Sequence, residues 1–317
     1  MEYLTLSSGD RLPMLGLGTW KAEPGAVYKA VRQAIQIGYR HFDCAAIYGN
    51  EGEIGKALAD ATASGDVDRE ALWVSSKLWN NSHLQADVRP ALEQSLSDLQ
   101  LDYLDLYIIH WPVAFKPGVS FPQSAEEYFS LEEVPISETW GALELCVDRG
   151  LARNIGVSNF SVPKLRSLLQ HSKIKPTVNQ VEMHPALCQH KLKKFCDDNA
   201  VAVTAYSPLG SRDRATAFKS KKEPDLLALE AVREIAELRG ITPAQVLLAW
   251  AVNRGTAVIP KSTNPDRLKL NFDSVIIELT PAEIDRINQS DRNYRFINGA
   301  FFTSKGSPYT VGGIWDQ

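Results

Sequence analysis

Short apolar runs alternate with amphipathic stretches along most of the chain. The runs lie at 14–17, 41–43, 71–77, 104–110, 152–157, 177–181, 202–206 and 257–260. Between them, apolar residues recur every three or four positions, as Val27, Val31 and Ala34 do, which is the spacing of one helix face. Strands that alternate with helices indicate a parallel sheet. Eight of them predict an α/β fold, a single (β/α)8 TIM barrel.

The segments outside this alternation complete the predicted organisation. Residues 3–6 and 11–14 form a hairpin pattern, so 1–14 is expected to cap the barrel. The last predicted helix begins at Thr280-Pro281-Ala282-Glu283, which combines an N-cap, a proline and a capping-box partner, as Thr242-Pro243-Ala244-Gln245 also does. Residues 291–317 have no clear period but contain several aromatics, which predicts a C-terminal loop over the site. No linker divides 1–317, so one domain is expected.

Composition narrows the class of protein. The 317 residues are 44% hydrophobic and 23% charged, as in a globular protein with a large core. A net charge of −4 argues against a broad surface for nucleic acid or an anionic membrane. The four cysteines lack paired spacing and read as reduced, mostly buried thiols. Without a visible secretory signal or membrane-spanning run, a cytoplasmic location is expected.

Unusual polar and aromatic residues fall where the predicted strands end, which is the face that carries chemistry in such barrels. They are Thr19, Trp20, Asp43, Lys77, His110, Ser158, Asn159, Gln180, Tyr206, Ser207, Lys261 and Ser262. Each has a structural explanation when it is taken alone. Asp43 could cap a helix, Lys77 could be a solvated strand end, and His110 could be a core histidine.

Asp43, Tyr48, Lys77 and His110 make chemical sense as a group. A phenol with a pKa of about 10 is a weak acid at neutral pH. A lysine ammonium about 4 Å away would favour phenolate by roughly 4 kcal/mol, or about three pKa units. Asp43 would hold Lys77 charged, and His110 would orient a carbonyl oxygen. This division of roles predicts carbonyl reduction with Tyr48 as the acid.

Five ordered motifs resemble the aldo-keto reductase family. They are GYRHFDCAAIYGNE at 38–51, SSKLW at 75–79, DLYIIHWP at 105–112, IGVSNF at 155–160 and IPKS at 259–262. The resemblance extends from about Gly9 to Arg295. It implies an eight-stranded barrel with Asp43, Tyr48, Lys77 and His110 as the catalytic tetrad. It also implies a monomer, since relatives are often monomeric, although nothing in the chain decides this.

The resemblance further implies a nicotinamide cofactor without a Rossmann loop. The partial match at Gly16-Leu17-Gly18-Thr19 has Lys21 in place of its third glycine and favours a tight turn. The residues implied at the nicotinamide end are Gly18, Thr19, Trp20, Asp43, Ser158, Asn159, Gln180 and Tyr206. Those implied along the pyrophosphate are Ser207, Leu209 and Ser211. Those implied at the adenosine are Lys261, Ser262, Thr263, Arg267 and Asn271.

Two cations and two hydroxyls before a helix suit a 2′-phosphate, so NADPH is expected over NADH. Asp213 is expected to pair with Lys261 and close a loop over the cofactor. Two departures from the family pattern are visible. Leu270 replaces an acid that contacts adenine in many relatives, and Thr216 replaces a pocket tryptophan of the aldose reductases.

An aromatic pocket is predicted above Tyr48, and it suits aromatic and medium-chain aldehydes, with aldoses as weaker substrates. Its expected lining is Trp20, Ile47, Tyr48, Trp79, His110, Trp111, Phe115 and Phe121, with Phe301, Phe302 and Trp315 as further candidates. Core packing alone could also explain any one of these residues. The sequence does not identify the physiological substrate.

Three other functions would use parts of the same pattern. A Schiff-base aldolase would use Lys77, but it leaves Asp43 and Tyr48 unexplained. A metal hydrolase is disfavoured because the six histidines give neither HxH nor HExxH spacing, and no metal is expected. A non-catalytic NADP(H)-binding regulatory protein on the same scaffold stays open, and turnover would distinguish it from an enzyme.

Overall fold

A parallel barrel preceded by a hairpin forms the centre of the molecule, in a computed structural model that describes residues 2–214, 219–220 and 223–317. The hairpin strands are β1 (Tyr3–Thr5) and β2 (Arg11–Pro13). The next strands are β3 (Gly16–Gly18), β4 (His41–Asp43), β5 (Trp73–Leu78), β6 (Leu104–Ile109), β7 (Ala114–Phe115) and β8 (Tyr128–Phe129). The remaining strands are β9 (Ala152–Ser158), β10 (Val178–Glu182), β11 (Ala202–Tyr206) and β12 (Ala257–Val258).

The barrel closes between the first and the last of its eight strands. Their order is β3-β4-β5-β6-β9-β10-β11-β12, and every neighbouring pair is parallel. A parallel bridge joins Leu15 to Val258, and the Val258 amide donates to the Met14 carbonyl at 2.7 Å. Gly18 takes part in this closure because a Cβ there would lie 2.6 Å from the Ile259 carbonyl oxygen. The predicted (β/α)8 fold is confirmed, and all eight predicted runs contain a strand.

A helix follows each barrel strand and packs outside it. The helices in chain order are α1 (Ala26–Ile37), α2 (Glu51–Ala63), α3 (Gln85–Leu99), α4 (Ile136–Asp148), α5 (Val162–His171), α6 (His190–Asp198), α7 (Glu230–Arg239), α8 (Pro243–Asn253), α9 (Pro265–Asp273), α10 (Pro281–Asn288) and α11 (Val311–Trp315). Of these, α8 and α10 each follow another helix, and α11 lies near the C-terminus. Both predicted capping boxes are present, at Thr242 and Thr280. None of the helices in the described ranges has the length and apolar composition that crossing a bilayer requires.

The hairpin closes the end of the barrel opposite the strand carboxyl ends. Leu6 and Leu12 are buried in one cluster with Leu106, Ile108 and Val178 from the barrel strands. Since these barrel side chains are apolar and close-packed, the lower interior is filled rather than open. The four cysteines are free and buried, in agreement with the interpretation from the sequence.

The C-terminal tail, residues 289–317, crosses the opposite face. The Glu182 carboxylate at the end of β10 accepts from the amides of Phe296 and Ile297 at 2.6 and 2.7 Å. The Tyr309 hydroxyl donates to the Phe129 carbonyl at 2.7 Å, which fixes the tail to β8. The tail contains a 3-10 turn at Ala300–Phe302 as well as α11, two short elements that the sequence pattern did not predict.

Candidate active site

Four elements bring Asp43, Tyr48, Lys77 and His110 together at the carboxyl ends of the strands. Asp43 ends β4, Lys77 lies near the end of β5, and His110 follows β6. Tyr48 ends a 3-10 turn, Ala46–Tyr48, that begins the connection from β4 to α2. Because neighbouring parallel strands end at the same edge, side chains distant in sequence meet here. The predicted group is therefore one cluster in space.

Lys77 is the centre of this cluster. Its side chain is 0% exposed, and its ammonium donates to Asp43 Oδ2 at 2.6 Å and to the Cys44 carbonyl at 2.8 Å. Its third partner is the Tyr48 hydroxyl at 3.3 Å. All three donor hydrogens of the ammonium are therefore used, and the cation is aimed at the phenol oxygen.

The second oxygen of the Asp43 carboxylate is also held. Gln180 Nε2 donates to Asp43 Oδ1 at 2.7 Å, and the Ser75 hydroxyl donates to it at 3.3 Å. Thr19 donates to the Asp43 backbone carbonyl at 2.8 Å. A buried carboxylate needs such partners, because losing water without replacing its hydrogen bonds costs several kcal/mol. Gln180, predicted at the nicotinamide end, thus also connects β10 to the cluster.

The predicted sign of the Tyr48 pKa shift is wrong. Burial raises the pKa of Tyr48 to about 12, although the Lys77 charge acts in the opposite direction. Asp43 adds to the rise, because its negative charge offsets part of the effect of Lys77 on the phenol. Tyr48 therefore keeps its proton at neutral pH, and its hydroxyl can donate that proton while it accepts a hydrogen bond from Lys77.

Lys77 is charged, whereas His110 is neutral. Burial opposes the charge on Lys77, but Asp43 and Tyr48 together outweigh it and raise the pKa of the ammonium. A lysine held charged has no free amine pair, which contradicts the Schiff-base alternative. Burial, assisted by Lys77, lowers the pKa of His110 well below its usual value, so this ring is neutral. Its ring lies 5.8 Å from that of Tyr48, edge to face.

Three strand ends beside the cluster carry the residues predicted at the nicotinamide end. Tyr206 donates to Asn159 Oδ1 at 2.8 Å, and Asn159 Nδ2 donates to the His110 carbonyl at 2.9 Å. The Ser158 hydroxyl donates to the Gln180 carbonyl at 2.8 Å. Asn159 and Ser207 have φ values of 64° and 49°, a left-handed conformation that costs non-glycine residues energy and is concentrated at functional sites.

The residues predicted at the phosphate end surround the beginning of α9. Asn264 caps this helix by accepting from the Arg267 amide at 2.9 Å, and Pro265 is its first residue. Lys261, Thr263 and Arg267 are exposed around it, whereas Ser262 and Asn271 are buried. A helix N-terminus flanked by cations is suited to bind an anion. The Leu270 side chain, at the departure noted above, is also exposed.

An ion pair connects the loops after β3 and β11 above the strand ends. Lys21 Nζ lies 2.6 Å from Asp213 Oδ1 and 3.0 Å from the Ser211 hydroxyl. The expected partner of Asp213, Lys261, is more distant at 3.9 Å. Sequence reasoning missed Lys21, which is 192 positions from Asp213 and carries no local signal. Ser211 and Leu209 lie on this loop and are half-buried, while Thr216 is outside the described residues.

Aromatic side chains form a wall above Tyr48. Trp111 contacts three rings of the tail, with centroids 5.7 Å from Phe301, 5.2 Å from Phe302 and 5.9 Å from Trp315. Trp79 lies 5.1 Å from His110 and 5.5 Å from Phe121. The tail thus supplies as many rings to this wall as the barrel loops do.

The other predicted pocket residues have different degrees of exposure. Trp20 and Phe121 are 38% and 51% exposed at the mouth, and Ile47 is half-buried. Phe115 is only 1% exposed and packs behind Trp79 and Phe302, so it supports the wall rather than forming its surface. Tyr128 packs against Phe115, and sequence reasoning missed this support because β7 and β8 are only two residues long.

Comparison with known proteins gives one consistent result. The sequence profile described as the Aldo/keto reductase family matches residues 14–292. An aldo/keto reductase of Synechocystis sp. is 52% identical over 317 residues, covering 100% of this chain and 97% of that protein. The human aldo-keto reductase family 1 member A1 is 46% identical over 294 residues, covering 92% of this chain and 90% of that protein.

A solved structure is similar throughout its length. The aldose reductase from Schistosoma japonicum superposes with a TM-score of 0.87 at 40% identity. The match covers 95% of this chain and 96% of that one. The similarity therefore includes the barrel, and the chains are of nearly the same extent.

Proposed function

This chain belongs to the aldo/keto reductase family, and from that membership we propose that it reduces aldehydes with NADPH and with Tyr48 as the general acid. It is an oxidoreductase, and its general reaction is the reduction of carbonyl groups in small molecules. The family uses nicotinamide cofactors.

The observation that carries the proposal is the buried series of contacts Gln180–Asp43–Lys77–Tyr48. Bound NADPH would supply a hydride to the carbonyl carbon. Tyr48 donates its proton to the carbonyl oxygen as negative charge develops there. Lys77 stabilises the resulting phenolate at 3.3 Å, and Asp43 keeps Lys77 charged and oriented. Neutral His110 donates a hydrogen bond to the same carbonyl oxygen and positions it.

Side chains at two ends of the site support the assignment of a dinucleotide that carries an additional phosphate. Ser158, Asn159 and Gln180 present amide and hydroxyl groups beside Asp43, and we assign them to the nicotinamide carboxamide, with Tyr206 against the ring. At the other end, Lys261 and Arg267 bring two cations to the capped beginning of α9. Two cations at a helix N-terminus favour the 2′-phosphate, and hence NADPH over NADH.

Aromatic and medium-chain aldehydes are the proposed substrates, with aldoses weaker. Trp79 and Trp111 offer flat apolar surface near Tyr48 and His110, and the fully buried Phe302 packs behind both rings. Apolar contact of this kind favours hydrophobic groups over polyhydroxylated ones. A single domain, a monomeric state and a cytoplasmic location stay predictions from the sequence.

The Tyr48→Phe variant tests the acid assignment. We expect a loss of kcat of about 100-fold or more, since positioned proton transfer contributes about 10²–10⁴-fold. NADPH affinity should be nearly unchanged, because only one oxygen is removed. The measurement is NADPH oxidation with a panel of aromatic aldehydes, alongside cofactor binding by fluorescence. Retention of most of kcat in Tyr48→Phe would refute the assignment of the acid.

The Lys261→Met variant tests the cofactor preference. Removing one charge-assisted contact to the 2′-phosphate should weaken NADPH binding by about 10-fold or more, equivalent to about 1.5–3 kcal/mol. NADH, which lacks this phosphate, should bind with almost the same affinity to both forms. Lys269→Met, on the exposed side of α9, is the control and should leave both affinities unchanged. Equal losses for the two cofactors would exclude a 2′-phosphate contact at Lys261.

Parallel assays with NADPH and NADH also separate the enzyme from the binding-only alternative. Turnover that prefers NADPH would support the full proposal. Tight NADPH binding without turnover of any aldehyde in the panel would favour the regulatory protein instead.

A further inference from the structure

A second group of chemically reactive side chains lies outside the cluster around Lys77. Cys188 is in the loop after β10, His190 is the first residue of α6, and Asp291 follows α10. One ligand atom from each of the three lies within 4.8 Å of the other two. In the described part of the chain, this is the one group of three or more potential metal ligands that are this close together.

We propose that Cys188, His190 and Asp291 bind a zinc ion. A thiolate, an imidazole and a carboxylate are the three ligand types that zinc takes in proteins, and a sulfur ligand disfavours magnesium and calcium. Tetrahedral zinc, with ligand distances of about 2.0–2.3 Å, separates its donor atoms by roughly 3.5 Å. The donor atoms here need only a small approach to reach that separation.

Two of the three side chains are free to move toward the third. Cys188 is buried, whereas His190 and Asp291 are exposed, so a cation enters from solvent and the two exposed side chains can rotate toward the thiol. The Cys188 thiol now donates to the Pro185 carbonyl at 3.3 Å. On binding, the thiol releases its proton to solvent, and the sulfur–zinc bond replaces the sulfur–hydrogen bond. Water completes the fourth position.

A neighbouring cation, Arg254, holds the loop that carries Cys188. Arg254 donates through Nη2 to the backbone carbonyl of Cys188 at 2.8 Å, and its guanidinium lies 4.3 Å from the centre of the Trp250 ring. This contact fixes the loop at the Cys188 backbone, and the guanidinium also interacts electrostatically with the Cys188 and Asp291 side chains. The loop conformation that presents Cys188 is therefore held without a metal.

The position of the site gives the metal a structural consequence. Asp291 is at the beginning of the C-terminal tail, and the amides of Arg292 and Tyr294 both donate to the Ala186 carbonyl, at 3.2 and 2.8 Å. A zinc ion would add a second attachment between the same loop and the same part of the tail. The zinc ion would take no part in carbonyl reduction, so this proposal does not depend on the proposed reaction.

Cobalt is the probe for this site. The full chain, freed of metal with a chelator, is titrated with Co²⁺, and we expect one equivalent to produce a thiolate-to-cobalt band in the near ultraviolet. Zn²⁺ should displace the cobalt and raise the thermal unfolding midpoint. The Cys188→Ser variant should lose the band. His190→Ala and Asp291→Asn should weaken binding by more than about 10-fold.

Two matched variants serve as controls. Cys196→Ser removes another buried thiol, from α6 itself, and His171→Ala removes an exposed imidazole from α5. Both should give the same cobalt band and the same midpoint shift as the unmodified chain. Absence of the band in the unmodified chain with excess Co²⁺ would overturn the proposal, as would a band that survives in Cys188→Ser.

Discussion

Burial and the neighbouring charges shift the pKa of Lys77 in opposite directions, and their sum keeps the side chain charged. Burial disfavours the ammonium, while Asp43 at 2.6 Å and Tyr48 at 3.3 Å favour it. The ion pair is close to neutral as a unit, so it orients the phenol more than it acidifies it. For this reason burial determines the direction of the Tyr48 pKa shift.

Removing one member of this pair should cost more than removing both charges. In Lys77→Met the Asp43 carboxylate is left buried without its cation, and we expect the free energy of unfolding to fall by about 3–5 kcal/mol. Adding Asp43→Asn removes the orphaned charge, so the double variant should recover part of this loss. Urea unfolding of both single variants and the double variant measures the coupling. Additive losses would show that the two charges are energetically independent.

The sequence was informative about residues at strand ends and less so about their environment. Asp43, Lys77 and His110 could be placed together because parallel strands end at one edge. The direction of the Tyr48 pKa shift could not be predicted, since desolvation depends on atoms from several elements. Lys21 was missed for a related reason: its partners, Ser211 and Asp213, are 190 and 192 positions away in the sequence.

At the scale of elements, packing between neighbouring helices depends on one small residue. Gly55 in α2 lies against the end of α3, and a Cβ there would be 2.6 Å from the Leu99 Cα. Backbone cannot move aside as a side-chain tip can. The close approach of α2 to α3 therefore requires glycine at this position.

Two glycine substitutions in the same helix should have opposite effects. Gly55→Ala should lower the free energy of unfolding by about 1–3 kcal/mol or more, because α2 and α3 must separate. Gly52→Ala meets nothing within 4 Å and should raise it by up to about 1 kcal/mol, through lower entropy of the unfolded chain. Chemical denaturation of both variants provides the comparison. A stabilised Gly55→Ala variant would contradict this account of the packing.

Element types were predictable where periodicity or capping was strong. Thr242 and Thr280 begin helices as their capping boxes indicated. The two-residue strands β7 and β8 and the turn at Ala300–Phe302 were not predictable, because such short elements have no period. They are held by contacts distant in sequence, such as the Tyr309 hydroxyl on Phe129.

At the scale of the whole molecule, the buried histidines make stability depend on pH. Burial lowers the pKa of His41 to about 4 and that of His83 to about 3, from 6.5. Above about pH 6.5 neither state of the chain is protonated at these rings. Below pH 6.5 the unfolded chain binds protons at these rings and the folded chain does not. The free energy of unfolding therefore falls as the pH drops from 6.5 toward 4.

Each buried ring should add a slope of at most about 1.4 kcal/mol per pH unit in that window. Urea unfolding at about pH 7, 6 and 5 measures the slope, and His83→Gln should reduce it by removing one titrating group. His171→Ala, which changes an exposed ring, should leave it almost unchanged. A flat profile between pH 7 and about 5 would show that these rings do not govern acid unfolding.

The C-terminal tail has a consequence for how the molecule is made. All eight barrel strands, with Asp43, Lys77 and His110, leave the ribosome before Phe301, Phe302 and Trp315 do. During synthesis there is therefore an interval in which the residues of the polar cluster have emerged but the tail's part of the aromatic wall has not. A nascent chain in that interval exposes the Trp111 ring, which the tail later covers. The last residues to emerge therefore bury an apolar surface that is prone to aggregation and complete the pocket.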